Sequence, residues 1–334
     1  MKQATEVRRL LVVGLGSIGK RHLANIRSLM PDAEVAILRR PGSGSTEYEG
    51  CRVYHSQQEA VEFNPQAALV CGPASTHLDI AGFLLDNGVH LFIEKPLSHC
   101  AEGVSQLRLK AESQNSKVMV GYNLRFLDSL RAFKQLVDES EYGRCIMVKA
   151  EVGQYLPDWR PGTDYRTSVS ARKSLGGGAL LELSHELDYL SWIFGNAVSV
   201  QGYRLKVSDL EIDSDDLVMA HMFCAQAGAE IPVSFHLDLL QRQPVRLCKV
   251  ICERGTLMWD GIEDRVTVDT PEGRELLYKG DGNRNKMYEE ELMAFIDCIE
   301  SNLPEPVSIE EGLQVLQLVD ALDRSSATGG VIKL

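Results

Sequence analysis

The chain has 334 residues, room for two domains of roughly 150 residues each. Hydrophobic residues make up 44% and charged residues 25%, which excludes a mainly disordered chain, a collagen and a disulfide-dense mini-protein. Lys and Arg number 35 against 47 Asp and Glu, so the net charge is −12 and nothing draws the whole chain toward nucleic acid or anionic lipid. No run approaches the roughly 18 apolar residues of a membrane helix. The polar start, residues 1–9, leads straight into a strand pattern, so no secretory signal is expected. Of the eight cysteines only Cys248 and Cys252 are close, on one face of a strand pattern and without a second ligand pair. They read as reduced thiols of a cytoplasmic protein, with no metal site.

In chain order, residues 10–13 predict a strand, 19–30 a helix and 34–38 a strand. A helix at 57–62, a strand at 67–71, a helix at 76–87, a strand at 90–93, a helix at 101–115 and a strand at 117–121 follow. This alternation predicts a parallel sheet covered on both faces. After about residue 123 the pattern changes. A helix at 129–139 leads into extended segments at 146–153, 197–205, 217–224, 230–239, 247–253, 255–259 and 265–270. Gly, Asp and Pro turn signals join several of them, as in an antiparallel sheet. The tail is helical again from 287, broken at Pro304 and Pro306.

Between the first strand and the first helix stands Gly14-Leu15-Gly16-Ser17-Ile18-Gly19, a G-x-G-x-x-G. Gly14 permits the tight turn, Gly16 lets backbone approach a pyrophosphate, and Gly19 lets helix pack on strand. The backbone at Ser17 and Ile18 lies at the electropositive helix start. The pattern alone is weak; with a strand before it and a helix after it, it predicts a bound dinucleotide. About 20 residues on, NAD-selective sites place an Asp or Glu, whereas this chain has Arg39 and Arg40, followed by Ser43 and Ser45. Two guanidinium groups suit a 2′-phosphate, so NADP is favoured over NAD. An Arg stacked on the adenine of NAD is the competing reading.

Further along come Pro73-Ala74-Ser75-Thr76-His77, the strand end Glu94-Lys95-Pro96, Tyr122-Asn123-Leu124-Arg125-Phe126, and a run from Gly176-Gly177-Gly178 to His185 and Asp188. In this order with the glycine turn, and with the helical segment 312–330, they resemble the Gfo/Idh/MocA oxidoreductase family over nearly the whole chain. The resemblance implies an α/β Rossmann domain over 1–123, then an α+β domain over 124–334 with an open, mainly antiparallel sheet. The second domain would bind substrate and join copies into a homodimer or homotetramer, and its C-terminal helix would pack back toward the first. Pro73, His77, Glu94 and Lys95 would lie at the cofactor.

Lys95, at the end of a parallel strand, can hold a substrate hydroxyl and stabilise the alkoxide as hydride leaves. Glu94 would orient or neutralise it. His185 is the general acid or base, since a neutral imidazole takes a hydroxyl proton near pH 7. Glu182 and Asp188, three residues to either side on a predicted common helix, are accessory candidates. Many relatives carry Asp four residues before this histidine; here Leu181 stands there, so a complete Lys–Asp–His triad does not transfer. Asn123 and Arg125, with Tyr155, Trp159, Arg160, Tyr165 and Arg166 in an aromatic and charged loop, are the substrate-binding candidates, and Arg172 and Lys173 add positive charge. A surface loop anchored by Trp159 explains that composition equally well. The acidic run 209–216 reads as a solvated turn rather than a metal site. The expected function is NAD(P)-dependent hydride transfer at a CH–OH carbon of a sugar, sugar derivative or polyol, in a protein with no nucleic-acid or membrane partner. The alternatives are a glycoside hydrolase or isomerase that retains its dinucleotide, and a non-catalytic dinucleotide-binding sensor.

Overall fold

The computed structural model describes residues 6–42, 44–226 and 228–334. They divide into two units, one running to Asn123 and including Asn285–Leu313, the other Leu124–Arg284 with Gln314–Leu334.

The first unit opens with β1 (Arg9–Val13), α1 (Ser17–Leu29), β2 (Glu34–Leu38), β3 (Glu47–Tyr48) and β4 (Cys51–Tyr54). Then come α2 (Gln57–Glu62), β5 (Ala67–Val70), α3 (His77–Asp86), β6 (His90–Glu94), α4 (Val104–Gln114) and β7 (Val118–Gly121). Among the described residues the strands form one sheet of order β3-β4-β2-β1-β5-β6-β7, parallel except for the edge pair β3–β4. Leu10, Leu11, Val12, Leu69, Phe92 and Ile93 are wholly buried, as strands covered on both faces must be. Chain order reverses at β1, between β2 and β5, so the carboxyl ends of these strands form the switch point where open α/β sheets take ligands. The helix predicted over 101–115 begins only at Val104, because Gly103 before it holds a left-handed φ of 85°.

The second unit contains α5 (Asp128–Glu139), β8 (Cys145–Gly153), α6 (Ala179–Glu182), α7 (His185–Phe194), β9 (Ala197–Leu205) and β10 (Leu217–Gln226). β11 (Ala229–Asp238), β12 (Val245–Cys252), β13 (Thr256–Asp260), β14 (Arg265–Thr270) and β15 (Gly273–Lys279) follow. β8 and β11 pair in parallel, and the other neighbours are antiparallel. Trp259 on β13 is wholly buried; its Nε1–H donates to Ser129 Oγ on α5 at 2.9 Å, and its ring meets Tyr189 of α7 edge-on at 5.4 Å. These contacts lay the two helices on the sheet. Along β10, Val218, Ala220, Met222 and Cys224 are buried while Met219, His221 and Phe223 are exposed, the period-two alternation of a sheet with one open face.

The tail is shared. Helix α8 (Lys286–Glu300) packs in the first unit, with Phe295 against Phe92 at 5.8 Å and Asn285 Nδ2 donating to Asn25 Oδ1 at 2.9 Å. Residues 285–313 thus group with the first unit. Beyond the two prolines, Val307 O accepts from Val120 N at 3.0 Å. Ser308 and Glu311 then cap each other reciprocally to start α9 (Ile309–Thr328). Near its end Ser325 Oγ accepts from Gly202 N at 3.0 Å, and β16 (Ile332–Lys333) adds to β9, completing the order β15-β14-β13-β12-β8-β11-β10-β9-β16.

Candidate active site

At the glycine turn the three glycines do three jobs. Gly14 has a φ of 92°, and a β-carbon there would stand 3.2 Å from the Cys71 carbonyl. A β-carbon at Gly19 would collide with the Gly14 carbonyl oxygen, so helix and turn approach as only glycine allows. Gly16 differs: its φ of −69° suits any residue, and the space its side chain would occupy is open. No side chain caps α1 and no acidic residue sits in its first turn. The N–H groups at Ser17 and Ile18 therefore face an approach kept clear by Gly16, which fits a dinucleotide pyrophosphate.

Leu38 lies in register with Val13, and Gly14 N donates to Leu38 O at 2.9 Å. Arg39, half-buried, and Arg40, exposed, thus follow β2 at the level of the glycine turn. Ser45 Oγ donates to Glu47 O at 2.6 Å, and Ser43 lies outside the described residues.

At the end of β6, Glu94 is buried and Lys95 half-buried, and the Lys95–Pro96 peptide is cis. The Glu94 carboxylate turns inward, where Oε1 accepts from His22 Nε2 at 2.6 Å. His22, on α1 three residues beyond Gly19, was not singled out in the sequence; the signal is its place on the helix face that carries Leu23 and Ile26 into the core. His77 is buried with its two ring nitrogens against carbonyls, Nε2 at 2.9 Å from Gly72 O and Nδ1 at 3.1 Å from Pro96 O. Burial lowers its pKa below the ordinary imidazole value despite those two carbonyls. The side chain braces the turn after β5 against the turn after β6. Pro73 O accepts from Thr76 N and Oγ1 at 2.9 and 2.8 Å, which shapes that first turn. Asn123 is buried and its side chain hydrogen-bonds Tyr288 on α8.

In the second unit the helix expected to carry both Glu182 and His185 is broken. Glu182 ends α6 and His185, half-buried, begins α7. Leu183 leaves helical geometry at φ −100° and ψ 23°, so spacing of three does not put Glu182 and His185 on one helical face. Glu182 Oε1 accepts from Ser170 Oγ at 3.0 Å. Asp188 is taken up by Arg125, whose Nε and terminal nitrogen donate to Oδ2 and Oδ1 at 3.0 and 2.7 Å, both side chains being buried. Arg125 therefore anchors the first turn of α7, beside a second ion pair, buried Glu186 with half-buried Arg246 at 2.9 Å. The acidic run is solvated only in its first part: Asp209, Glu211 and Asp213 are exposed, whereas Asp215 and Asp216 are buried. Asp215 caps α6 by accepting from Leu180 N at 2.8 Å and pairs with Arg204 at 2.7 Å. Asp216 accepts from Val207 N and Ser208 N at 2.8 and 3.0 Å.

The substrate-loop candidates fare unevenly. Tyr155 N donates to Gln241 O at 2.7 Å, and the Arg242 guanidinium covers the Tyr155 ring at 3.5 Å. Trp159 Nε1 donates back to Gln154 O at 3.1 Å. With Arg160 and Tyr165, Trp159 lines a cavity of about 20 Å³, room for one water. Arg166 is gripped by Asp164 at 2.8 and 2.9 Å and by Glu211 at 3.1 Å, and its bonds to Asp164 hold that carboxyl below the usual range. Arg160, Arg172 and Lys173 are exposed. Next to this loop lies a cluster the sequence reading passed over. Asp238 accepts from His236 Nε2 and Gln241 Nε2, both at 2.8 Å, and Gln241 also reaches Glu151 at 3.0 Å. Burial acts to raise Asp238, but these bonds outweigh it and hold the carboxyl low, while Asp238 raises His236.

Comparison with known proteins gives the same architecture. Residues 8–122 match the oxidoreductase family with an NAD-binding Rossmann fold, and residues 130–258 match the Gfo/Idh/MocA C-terminal domain. The chain is 26% identical to myo-inositol 2-dehydrogenase of Thermotoga maritima, covering 98% of each chain. It is 26% identical to inositol 2-dehydrogenase of Burkholderia lata, covering 96% of this chain and 94% of that one. The fold is shared with the WlbA dehydrogenase of Bordetella pertussis, crystallised with NADH and UDP-GlcNAcA, at a TM-score of 0.81, 22% identity and 99% coverage of both chains. Two domain matches in order, over a glycine turn built for a dinucleotide, make this chain a member of the Gfo/Idh/MocA oxidoreductase family.

Proposed function

We propose that this chain is a dehydrogenase or reductase acting at a CH–OH carbon of a sugar, sugar derivative or polyol. The observation that carries the reading lies within the first unit. A glycine turn open at Gly16 follows β1, and Lys95 follows β6, two strands away on the carboxyl side of the same parallel sheet. The nicotinamide dinucleotide, when bound, supplies or accepts the hydride. Gly14, Gly16, Ser17, Ile18 and Gly19 hold its pyrophosphate, and Glu94 and Lys95 border it. Lys95 holds the substrate oxygen and stabilises negative charge as it develops. His185 exchanges the hydroxyl proton. A substrate of the sugar or polyol class is supported by the relatives named for myo-inositol and by the related structure holding UDP-GlcNAcA. For the adenosine end, Arg39 and Arg40 replace the acidic residue that selects NAD, so NADP is the preferred dinucleotide.

Two measurements test this. The protein is screened for nicotinamide reduction against cyclitols, free sugars, sugar acids and nucleotide-linked sugars. Steady accumulation of reduced nicotinamide with one class is expected, and none with any class, despite bound dinucleotide, contradicts the reading. Direct titration with NADP and NAD should show tighter NADP binding, reduced or reversed in Arg39→Asp. Tighter NAD binding by the unaltered protein overturns the preference and leaves the dehydrogenase reading intact.

A further inference from the structure

We propose that His22 is a positioning residue for the dinucleotide, acting through Glu94. This rests on the reading of the glycine turn and Glu94 as dinucleotide-binding. The His22 side chain is wholly buried on α1, one turn inside the helix whose start faces the pyrophosphate. Its Nε2–H donates to Glu94 Oε1 at 2.6 Å, while Nδ1 is buried with no hydrogen-bond partner among the described residues. One ring nitrogen with an acceptor and the other with none fixes the tautomer as Nε2–H. Phe92, on the same strand as Glu94, holds the ring edge-on at 5.1 Å, and Tyr288 of α8 flanks it at 6.4 Å. The imidazole is therefore clamped before it meets the carboxylate.

Glu94 bridges two environments. Oε1 is committed to the interior, and the side chain keeps 11% of its surface accessible at the carboxyl end of β6. A free carboxylate rotates about its last bond. One oxygen tied to a clamped donor stops that rotation and presents Oε2 outward in one orientation. The link also spans β6 and α1, so the element that binds pyrophosphate and the strand end that carries Lys95 are tied by one charge-assisted hydrogen bond. A residue that never reaches the ligand then sets how well Glu94 can meet the dinucleotide it borders.

The test is NADH and NADPH titration, read by nicotinamide fluorescence, on wild type, His22→Phe, Glu94→Gln and the double variant. Phe keeps the ring and removes the donor. Both single variants should bind the preferred dinucleotide about tenfold more weakly, the loss of one hydrogen bond to a charged group. The double variant should be no weaker than the worse single one, because His22 acts only through Glu94. His22→Gln, whose amide can donate to the same oxygen, should recover most of the affinity. Wild-type affinity in folded His22→Phe, or losses that multiply in the double variant, overturn the proposal. If His22→Phe does not fold, His22→Asn, too short to reach Glu94, takes its place in the cycle with the same outcomes. A wild-type protein that binds neither dinucleotide overturns the dinucleotide reading itself and this inference with it.

Discussion

Arg125 and Asp188 stand 63 residues apart in sequence and form a bidentate buried pair, which shows what residue spacing alone conveys. Each is a plausible ligand contact when read singly, but a buried carboxylate takes the nearest guanidinium the fold supplies. Asp238 and His236 are two apart on a strand the sequence shows, but their pairing was not legible because nothing in the sequence marks the turn at Asp238, where Leu240 N and Gln241 N donate to its Oδ1. At this scale two outcomes are expected. Lys95→Ala and His185→Ala should fold and bind dinucleotide yet lose about 10²–10⁴-fold in kcat, as removal of an acid–base or charge-stabilising group does. Near-wild-type kcat in both would remove the proposed roles. The second outcome concerns pH. The hydrogen bond to Asp238 raises His236 above its ordinary 6.5, so its contribution to stability is complete below that value and fades as pH rises through the higher folded-state value. With the His236 side chain 37% exposed, the effect is below about 1 kcal/mol. Urea unfolding of His236→Gln across this range should lose that decline; curves parallel to wild type would refute the assignment.

At the scale of elements, the strand–helix alternation of the first unit was legible because buried parallel strands leave continuous apolar runs and α1 follows its glycine turn directly. The second unit yielded most of its strands, though not β15 or β16, and not its breaks. Leu181–Ser184 carries neither Pro nor Gly, so no local signal marks the split at Leu183, and the start of α6 is set by Asp215 from 35 residues away. The same distance effect hid part of the acidic run: Asp215 reaches Leu180 and Arg204, while Asp209, Glu211 and Asp213 stay exposed. For α1 the two later glycines separate binding from folding. Gly16→Ala fills open space at an ordinary φ, so its unfolding free energy should stay within about 0.5 kcal/mol while dinucleotide affinity falls about tenfold or more. Gly19→Ala must displace a carbonyl oxygen and should cost about 1–3 kcal/mol. Denaturant unfolding without dinucleotide, followed by titration, checks both; equal behaviour of the two variants contradicts the account.

At the scale of the whole molecule, the open face of the second unit's sheet presents Met219, Phe223 and Tyr203, exposed by 43%, 43% and 48%. Apolar side chains repeated across neighbouring strands are the mark of a surface that is covered in solution. The expected state is a homodimer or homotetramer through this face. Light scattering at micromolar concentration checks it, with Phe223→Glu expected to shift the protein toward monomer. A monomeric wild type counts directly against it. The division of the tail between the units was the part of the architecture least visible in sequence, because the faces of α8 and α9 are both apolar and neither names its partner. Only the contacts, Phe295 on Phe92 and Ser325 on Gly202, distinguish them.

Hydride transfer at a carbinol carbon is read out by isotope tracing. A substrate found by turnover is deuterated at the reacting carbon, and the dinucleotide is recovered for mass analysis. Deuterium is expected in reduced nicotinamide that accumulates with product. Product formation with no net deuterium in the dinucleotide pool would contradict it and would favour chemistry that returns the hydride within each turnover.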